Sequence, residues 1–298
     1  MTPDRIPRPI PPRRLPAALA VLALAALPAA ARAECPSEAA VAERAAAILR
    51  AEAPVQGYGP GLSLADGQCA QDRLTPLLAR EWGRQVGWKV GLTNTAVQQR
   101  FGVPHPVRGA IFEATLRHRS GDAMPARFGV NPSVEADLLV RVRDEGINGA
   151  TDRVEILRHL DQVVPFIELP DVSLAQGQVD GPNLIAIEVA ARSGVVGTPI
   201  PVQATPEFAD RLASMTVILA DDTRELARAP GTALLGHPLD VIPWLVADLA
   251  KSGQRLRAGD IVSLGGFAPS VPSVAGRTYT LRYEGLLAEP VSVTVRMQ

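Results

Sequence analysis

The sequence predicts an α+β protein whose C-terminal body is rich in strands. Three observations lead there. Glu38 to Ala51 is alanine-rich, with Val41, Ala45 and Ile48 on one helical stripe. From Val86 onward the chain changes to short β-like runs separated by Gly, Pro and Asp. One clear helix interrupts those runs, starting at Pro238 in the favoured first position and ending before Gly253.

The N-terminus comes first along the chain. Arg5, Arg8, Arg13 and Arg14 make a basic opening with one acid, Asp4. Leu15 to Ala30 is almost wholly Ala, Leu and Val, with Pro28 near its end, and Ala31-Arg32-Ala33 places small residues around a basic one. Basic, apolar, small-x-small is the order of a secretory signal. Residues 1–33 are therefore expected to be a signal peptide cleaved after Ala33, and the mature protein periplasmic or secreted. Arg13-Arg14 matches a twin-arginine signal only in that pair. Arg32-Ala33-Glu34 is a poor lipidation site for Cys35. Cys35 and Cys69 are the only cysteines, and in an oxidising compartment their simplest fate is one disulfide. With no Cys-x-x-Cys or Cys-His cluster, a metal site built from them is not expected.

Residues 34–81 read as an N-terminal helical segment, with a Gly- and Pro-rich linker at Val55–Leu64 and a short helix at Asp72–Trp82. Residues 82–298 form the main domain. Its expected strands include Val86–Leu92, Val134–Val142, Val163–Leu169, Leu184–Ala190, Met215–Ala220, Ile261–Phe267 and Tyr279–Tyr283. Formal net charge is −1 with acids and bases interspersed, which points away from nucleic acid as a partner. No segment after the signal reads as long and apolar enough to cross a bilayer, so no membrane span is expected in the mature chain.

Three places carry candidate chemistry. In Ser133–Val140, the residues Val134, Ala136, Leu138 and Val140 alternate as a strand with one buried face requires. Glu135 and Asp137 then share the other face, with Cα atoms roughly 6.5–7 Å apart. They form either a polar outer face or a cation site. In Val163–Pro170, Glu168 is a single acid in an apolar run, costly to bury without a partner or a metal, unless the strand surfaces there before the Pro170-Asp171 turn. Joined to Glu135 and Asp137 it would complete a hard carboxylate face suited to Mg²⁺ or Mn²⁺. The third place is Gly87-Trp88-Lys89-Val90-Gly91, where glycines flank a lysine within a strand and leave room for something to approach its ammonium. Lys89 and Lys251 are the only lysines; arginine serves elsewhere. A lysine kept within a strand suggests chemistry arginine cannot do, because lysine can lose its proton.

Gly87-Trp88-Lys89-Val90-Gly91-Leu92-Thr93 resembles the Gly-Tyr-Lys-Ile-Gly-Leu-Thr segment of the 2-keto-4-pentenoate hydratases of the fumarylacetoacetate hydrolase superfamily. Val134-Glu135-Ala136-Asp137 is similar to their Glu-Ala-Glu metal segment, and Pro165-Phe166-Ile167-Glu168 to their third metal carboxylate. Leu235-Gly236-His237-Pro238-Leu239 matches a helix start in that family, and Gly259 to Gly266 a late strand and Gly-rich loop beside the site. These matches keep their order from about Trp82 to Val295.

The resemblance implies the superfamily's mixed β-roll or sandwich, like the fumarylacetoacetate hydrolase C-terminal domain, with peripheral helices. It implies Mg²⁺ or Mn²⁺ on Glu135, Asp137 and Glu168, with Lys89 as the acid/base group. His237, Gly265 and Gly266 would lie against a small 2-keto acid, His237 being equally explicable as a residue that structures the helix start. The implied reaction adds water to a 2-keto-enoate from aromatic-compound catabolism, in a homo-oligomer. Decarboxylation of a 2-oxo-3-enedioate, C–C hydrolysis of a diketo acid, and a non-catalytic 2-keto-acid-binding protein are the alternatives. Arg108 and Arg192 are candidates for the second carboxylate that decarboxylation needs. Three residues depart from the family pattern: Asp137 replaces Glu, Ala114 replaces an acid, and Ile185–Arg192 offers Glu188 in place of an Asp-Asn pair. His105, His118 and His159 show no ligand spacing.

Overall fold

A computed structural model describes residues 35–298. The expected signal peptide, residues 1–33, lies outside the described residues. The strands in chain order are β1 Gln85–Gly91, β2 Val107–Phe112, β3 His118–Arg119, β4 Ala123–Met124, β5 Ser133–Val142, β6 Leu160–Leu169 and β7 Ser193–Val196. They continue with β8 Ile200–Pro201, β9 Thr216–Ala220, β10 Glu225–Pro230, β11 Ile261–Ser263, β12 Val271–Pro272, β13 Thr278–Glu284 and β14 Val291–Met297. They build two mixed sheets. One has nine strands, ordered β2-β1-β11-β5-β6-β7-β3 with β12 on β5 and β8 on β6. The other has five, ordered β10-β9-β13-β14-β4.

The alternation in β5 is what stacks them. Val134, Ala136, Leu138 and Val140 enter one buried cluster with Ile167 of β6, Val217 and Leu219 of β9, Leu281 and Tyr283 of β13, and Val293 and Val295 of β14. Each such side chain contributes about 1.5–3 kcal/mol on burial. The opposite face of β5 and β6 is thereby left for Glu135, Asp137 and Glu168.

A second core joins the N-terminal helices to that site. Helix α1, Glu38–Arg50, is capped by Ser37 and buries Val41, Ala45 and Ile48, the stripe expected from spacing. Helix α2 runs over Leu64–Trp82, eight residues earlier than the expected start at Asp72, because Ser63 and Asp66 form a reciprocal capping box. Leu74 and Leu78 of α2 pack with Phe112 of β2 and with Ile185 to Ala190. Gln71, also buried, donates to the carbonyls of Arg108 and Ile185 at 2.8 and 2.9 Å. Cys35 and Cys69 are bonded, with Cα atoms 5.5 Å apart, tying the start of the described chain to α2.

Two expectations are corrected. Leu184–Ala190 is not a strand: it closes a short helix, Gly181–Ile185, and then takes a turn in which Glu188, Val189 and Ala190 have φ of 59, 53 and 59°. A short apolar run is buried in either case, so its composition does not distinguish the two. The second correction concerns membrane spans. Gly231–Lys251 does reach the length and apolarity of one. It is broken, however, by left-handed Leu235 and Gly236 and by a 3₁₀ turn at Pro238–Asp240. Only Val241–Lys251 is α-helical, about 16 Å long at 1.5 Å per residue against the roughly 30 Å of a bilayer core. Leu239, Val241, Ile242, Leu245 and Leu249 are buried in the protein core.

Candidate active site

Four neighbouring strands, β1-β11-β5-β6, bring the expected residues onto one face. Register places Glu135 directly opposite Glu168 in the antiparallel β5–β6 pair. It places Lys89 beside Ser263, and Ser263 opposite Leu139. Directly opposed carboxylates on adjacent strands repel, because their Cβ atoms are only about 4.5–5.5 Å apart. A proton, an ammonium or a metal must sit among them. Lys89 supplies the ammonium: its Nζ is ion-paired with Glu168 and donates to the Val189 carbonyl at 2.9 Å. Both charged side chains are 5 % exposed.

Asp137 is fully buried and accepts from the Gly265 N–H at 3.0 Å, from its neighbour Leu138 N–H, and from the Ser263 hydroxyl. The Tyr283 hydroxyl reaches the same strand pair from the second sheet. It accepts from the Phe166 N–H at 3.2 Å and donates to the Asp137 carbonyl, holding β5 and β6 together at the site. Sequence reasoning did not single out Ser263 or Tyr283, and no local pattern marks either one.

Electrostatics follow from crowding. Burial, and then the charge of Glu168, push Glu135 up to about 8 and Asp137 up to about 7. For Lys89, burial disfavours the charge, but Glu168, Glu135 and Asp137 outweigh it and raise the pKa, so the ammonium is held protonated.

Glycine makes room at two points. A Cβ on Gly266 would collide with the Glu135 carboxylate, and one on Gly265, at φ 105°, would lie 2.6 Å from the Thr93 hydroxyl. The glycines flanking Lys89 admit protein rather than leaving open space. Gly87 lies against the backbone of Ile261, and a Cβ on Gly91 would meet the Val189 side chain at 2.7 Å.

Other expected roles are corrected. His237 is buried; its Nδ1 accepts from the Leu239 N–H and its Nε2 meets the Ala209 carbonyl, both at 3.0 Å. Both ring nitrogens are thus committed to backbone, and burial lowers the ring's pKa. His237 caps the Pro238 turn and has no nitrogen free to orient a substrate. Arg108 binds Asp248 at 2.8 Å and Ser252 at 3.2 Å, and Arg192 binds the Phe128 and Ile48 carbonyls at 3.1 and 2.9 Å. Arg108 is thus ion-paired with an acid, while Arg192 is held by two neutral carbonyls.

Glu188 is a further buried acid, 1 % exposed. It accepts from the Thr75 hydroxyl and from the Ala110 N–H at 2.8 Å, and burial pushes it up to about 7. The three left-handed residues Glu188–Ala190 cost about 1–2 kcal/mol each, and Val189, being β-branched, is the least suited of them.

No family model matches the chain. A 2-keto-4-pentenoate hydratase of Burkholderia vietnamiensis is 31 % identical over 252 residues, 84 % of this chain and 94 % of that protein. The chain belongs to the 2-keto-4-pentenoate hydratase family. Like other members, it is an enzyme of hydratase type. A 4-oxalocrotonate decarboxylase of Pseudomonas putida is 24 % identical over 227 residues, 76 % of this chain and 84 % of that protein. The structure of 4-oxalocrotonate decarboxylase from Pseudomonas putida G7, complexed with magnesium and adipate, superposes with a TM-score of 0.75 at 24 % identity. It covers 89 % of this chain and 100 % of that one, and confirms the fold.

Proposed function

We propose that the protein is a divalent-metal-dependent hydratase that converts a 2-hydroxy-dienoate, through its 2-keto-enoate, into a 4-hydroxy-2-keto acid. The observation that carries this reading is the face shared by Glu135, Asp137, Glu168 and Lys89, in a chain of the hydratase family. Among the described residues, no three His, Cys, Asp or Glu side chains converge on one ion-sized point as they stand. The donor set nevertheless fits a hard cation: three carboxylate side chains meet on one face, and the Lys89 ammonium already stands in as their cation. Glu135, Asp137 and Glu168 would hold the ion, with Gly266 keeping space beside Glu135. When bound, Mg²⁺ or Mn²⁺ supplies Lewis-acid polarisation of the substrate's carboxylate and 2-oxo group. Structurally similar proteins complexed with magnesium, with calcium and with Mn²⁺ support a divalent metal.

The chain's own residues do the proton work. Lys89, held charged by Glu168, gives and takes protons on the carbon chain. Ketonisation removes the 2-hydroxyl proton and places one on carbon 5, giving the conjugated enone; water then adds hydroxyl at carbon 4 and hydrogen at carbon 3. Decarboxylation of an enedioate would need a free cation for the second carboxylate; Arg108 is ion-paired with Asp248, and Arg192 is tied to the Phe128 and Ile48 carbonyls, away from the Lys89 cluster's own bonds. That favours hydration.

Export belongs to the proposal, supported by the tripartite pattern of residues 1–33 and the Cys35–Cys69 bond. N-terminal sequencing of protein recovered from the periplasm is expected to begin at Glu34. The reaction is tested by product analysis with Mg²⁺ and either freshly made 2-hydroxypenta-2,4-dienoate or 2-oxo-3-hexenedioate. The expected product is 4-hydroxy-2-oxopentanoate from the first. Carbon dioxide from the second, without hydration of the first, would replace this reading with decarboxylation. Tight binding without turnover of either would make the protein a 2-keto-acid-binding module.

A further inference from the structure

One buried acid has no part in the ligand set or the proton steps, and yet it lies one residue from the carbonyl that receives Lys89. Glu188 is held from two sides, by the Thr75 hydroxyl of α2 and the Ala110 N–H of β2. Those two bonds fix the first residue of three in left-handed conformation, none of them glycine. Such a run persists only where its surroundings over-determine it. Its product is specific: the Val189 carbonyl points at Lys89 Nζ, 2.9 Å away. Gly109, opposite Lys89 in the β1–β2 register, lets the Glu188 backbone approach, since a Cβ there would collide with the Glu188 carbonyl. Gly91 likewise admits the Val189 side chain.

We propose that Glu188 is a positioning residue: by clamping the left-handed turn Glu188–Ala190 between Thr75 and Ala110, it aims the Val189 carbonyl at the Lys89 ammonium and fixes where that ammonium points. Two protein acceptors, the Val189 carbonyl and Glu168, then leave the remaining N–H of Lys89 for the substrate. The role of Lys89 in turnover rests on the hydratase reading; the clamp itself does not.

The inference is tested on the full mature chain loaded with Mg²⁺, using E188A, E188Q and T75V. Glutamine keeps both contacts, because its carbonyl accepts from the Ala110 N–H while its NH₂ donates to the Thr75 oxygen, whose hydroxyl also has the Gln71 carbonyl to bond. Alanine keeps neither. With Lys89 and Lys251 the only lysines, selective ¹⁵N,¹³C-lysine labelling gives two side-chain ammonium signals, assigned with K251R. E188A is expected to shift the Lys89 signal and speed its proton exchange, and E188Q to leave both near wild type. T75V, which keeps the carboxyl and its Ala110 bond, is expected to shift the signal in the same direction by less, and reports on the clamp even if E188A does not fold. In turnover, E188A is expected to lose about 10²-fold in kcat, the scale of a misplaced catalytic group. KM and Mg²⁺ affinity should stay within about twofold, and E188Q should restore most of kcat. A Lys89 signal unmoved in folded E188A and T75V would overturn the proposal whatever the wild type turns over. Equal loss in E188A and E188Q would overturn it too, by showing that the charge rather than the clamp matters. A wild type that turns over no dienoate, with the signal shift intact, would instead sink the hydratase reading and leave the clamp standing.

Discussion

Loading the site with Mg²⁺ at neutral pH should expel a proton, and the amount follows from the crowding of carboxylates. With Glu135 at about 8 and Asp137 at about 7, the metal-free protein at pH 7 carries about nine-tenths of a proton on the first and about half on the second. Metal ligation requires the ionised forms, so binding should release about 1.4 protons at pH 7 and about a tenth of one at pH 9. Apparent Mg²⁺ affinity should then weaken by about fiftyfold from pH 7 to 6, approaching about a hundredfold per pH unit below that, as both carboxylates take up protons. The sign for stability is the reverse of the usual acid case. Both folded-state values lie above those of free carboxylates, so between about pH 4 and 8 the folded apo protein binds more protons than the unfolded chain. Apo stability is therefore fully present below about pH 4 as far as these groups are concerned, and is lost as pH rises through 8; bound metal should remove that loss. Titration calorimetry in two buffers of different ionisation enthalpy reads the proton count directly. Zero release at pH 7, with Mg²⁺ bound, would refute the reasoning that these carboxylates crowd each other into holding protons.

Three substitutions probe the rest of the account. G266A puts a methyl group against the Glu135 carboxylate, and should weaken Mg²⁺ binding by about 10–100-fold in a protein that melts near wild type; calorimetry checks both. C69S opens a cross-link spanning 34 residues, worth about 4 kcal/mol by loop entropy, and denaturation should show a melting temperature roughly 10 °C lower. H237A leaves the Leu239 N–H and the Ala209 carbonyl unpaired, and should cost about 2–4 kcal/mol of stability with KM within about twofold; a large rise in KM would restore a substrate role to His237.

How much of this the sequence carried depends on the range of each interaction. The alternation of Val134, Ala136, Leu138 and Val140 is local, and it correctly put Glu135 and Asp137 together on the face away from the main core. The stripe of α1 is equally local. Pairing register is not, so the direct opposition of Glu135 and Glu168 became visible only with β5 and β6 side by side. Isolated Glu168 in an apolar strand pointed to a partner, but not to Lys89, 79 positions earlier. Leu184–Ala190 misled because its burial comes from helix packing and a left-handed turn, neither of which has a two-residue period. The glycines beside Lys89 rightly signalled close approach, yet what approaches is the chain itself. His237 shows the converse: a motif histidine is explained by capping alone.

The central claim is that Lys89 works on a substrate held against Glu135, Asp137 and Glu168. The most direct test follows the dienol absorbance of 2-hydroxypenta-2,4-dienoate with wild type, K89A and E135A, each at saturating Mg²⁺ and each shown to be folded. The account expects metal-dependent conversion to 4-hydroxy-2-oxopentanoate by the wild type, lost in both variants, with Mg²⁺ binding weakened in E135A alone. Turnover that survives K89A would contradict it.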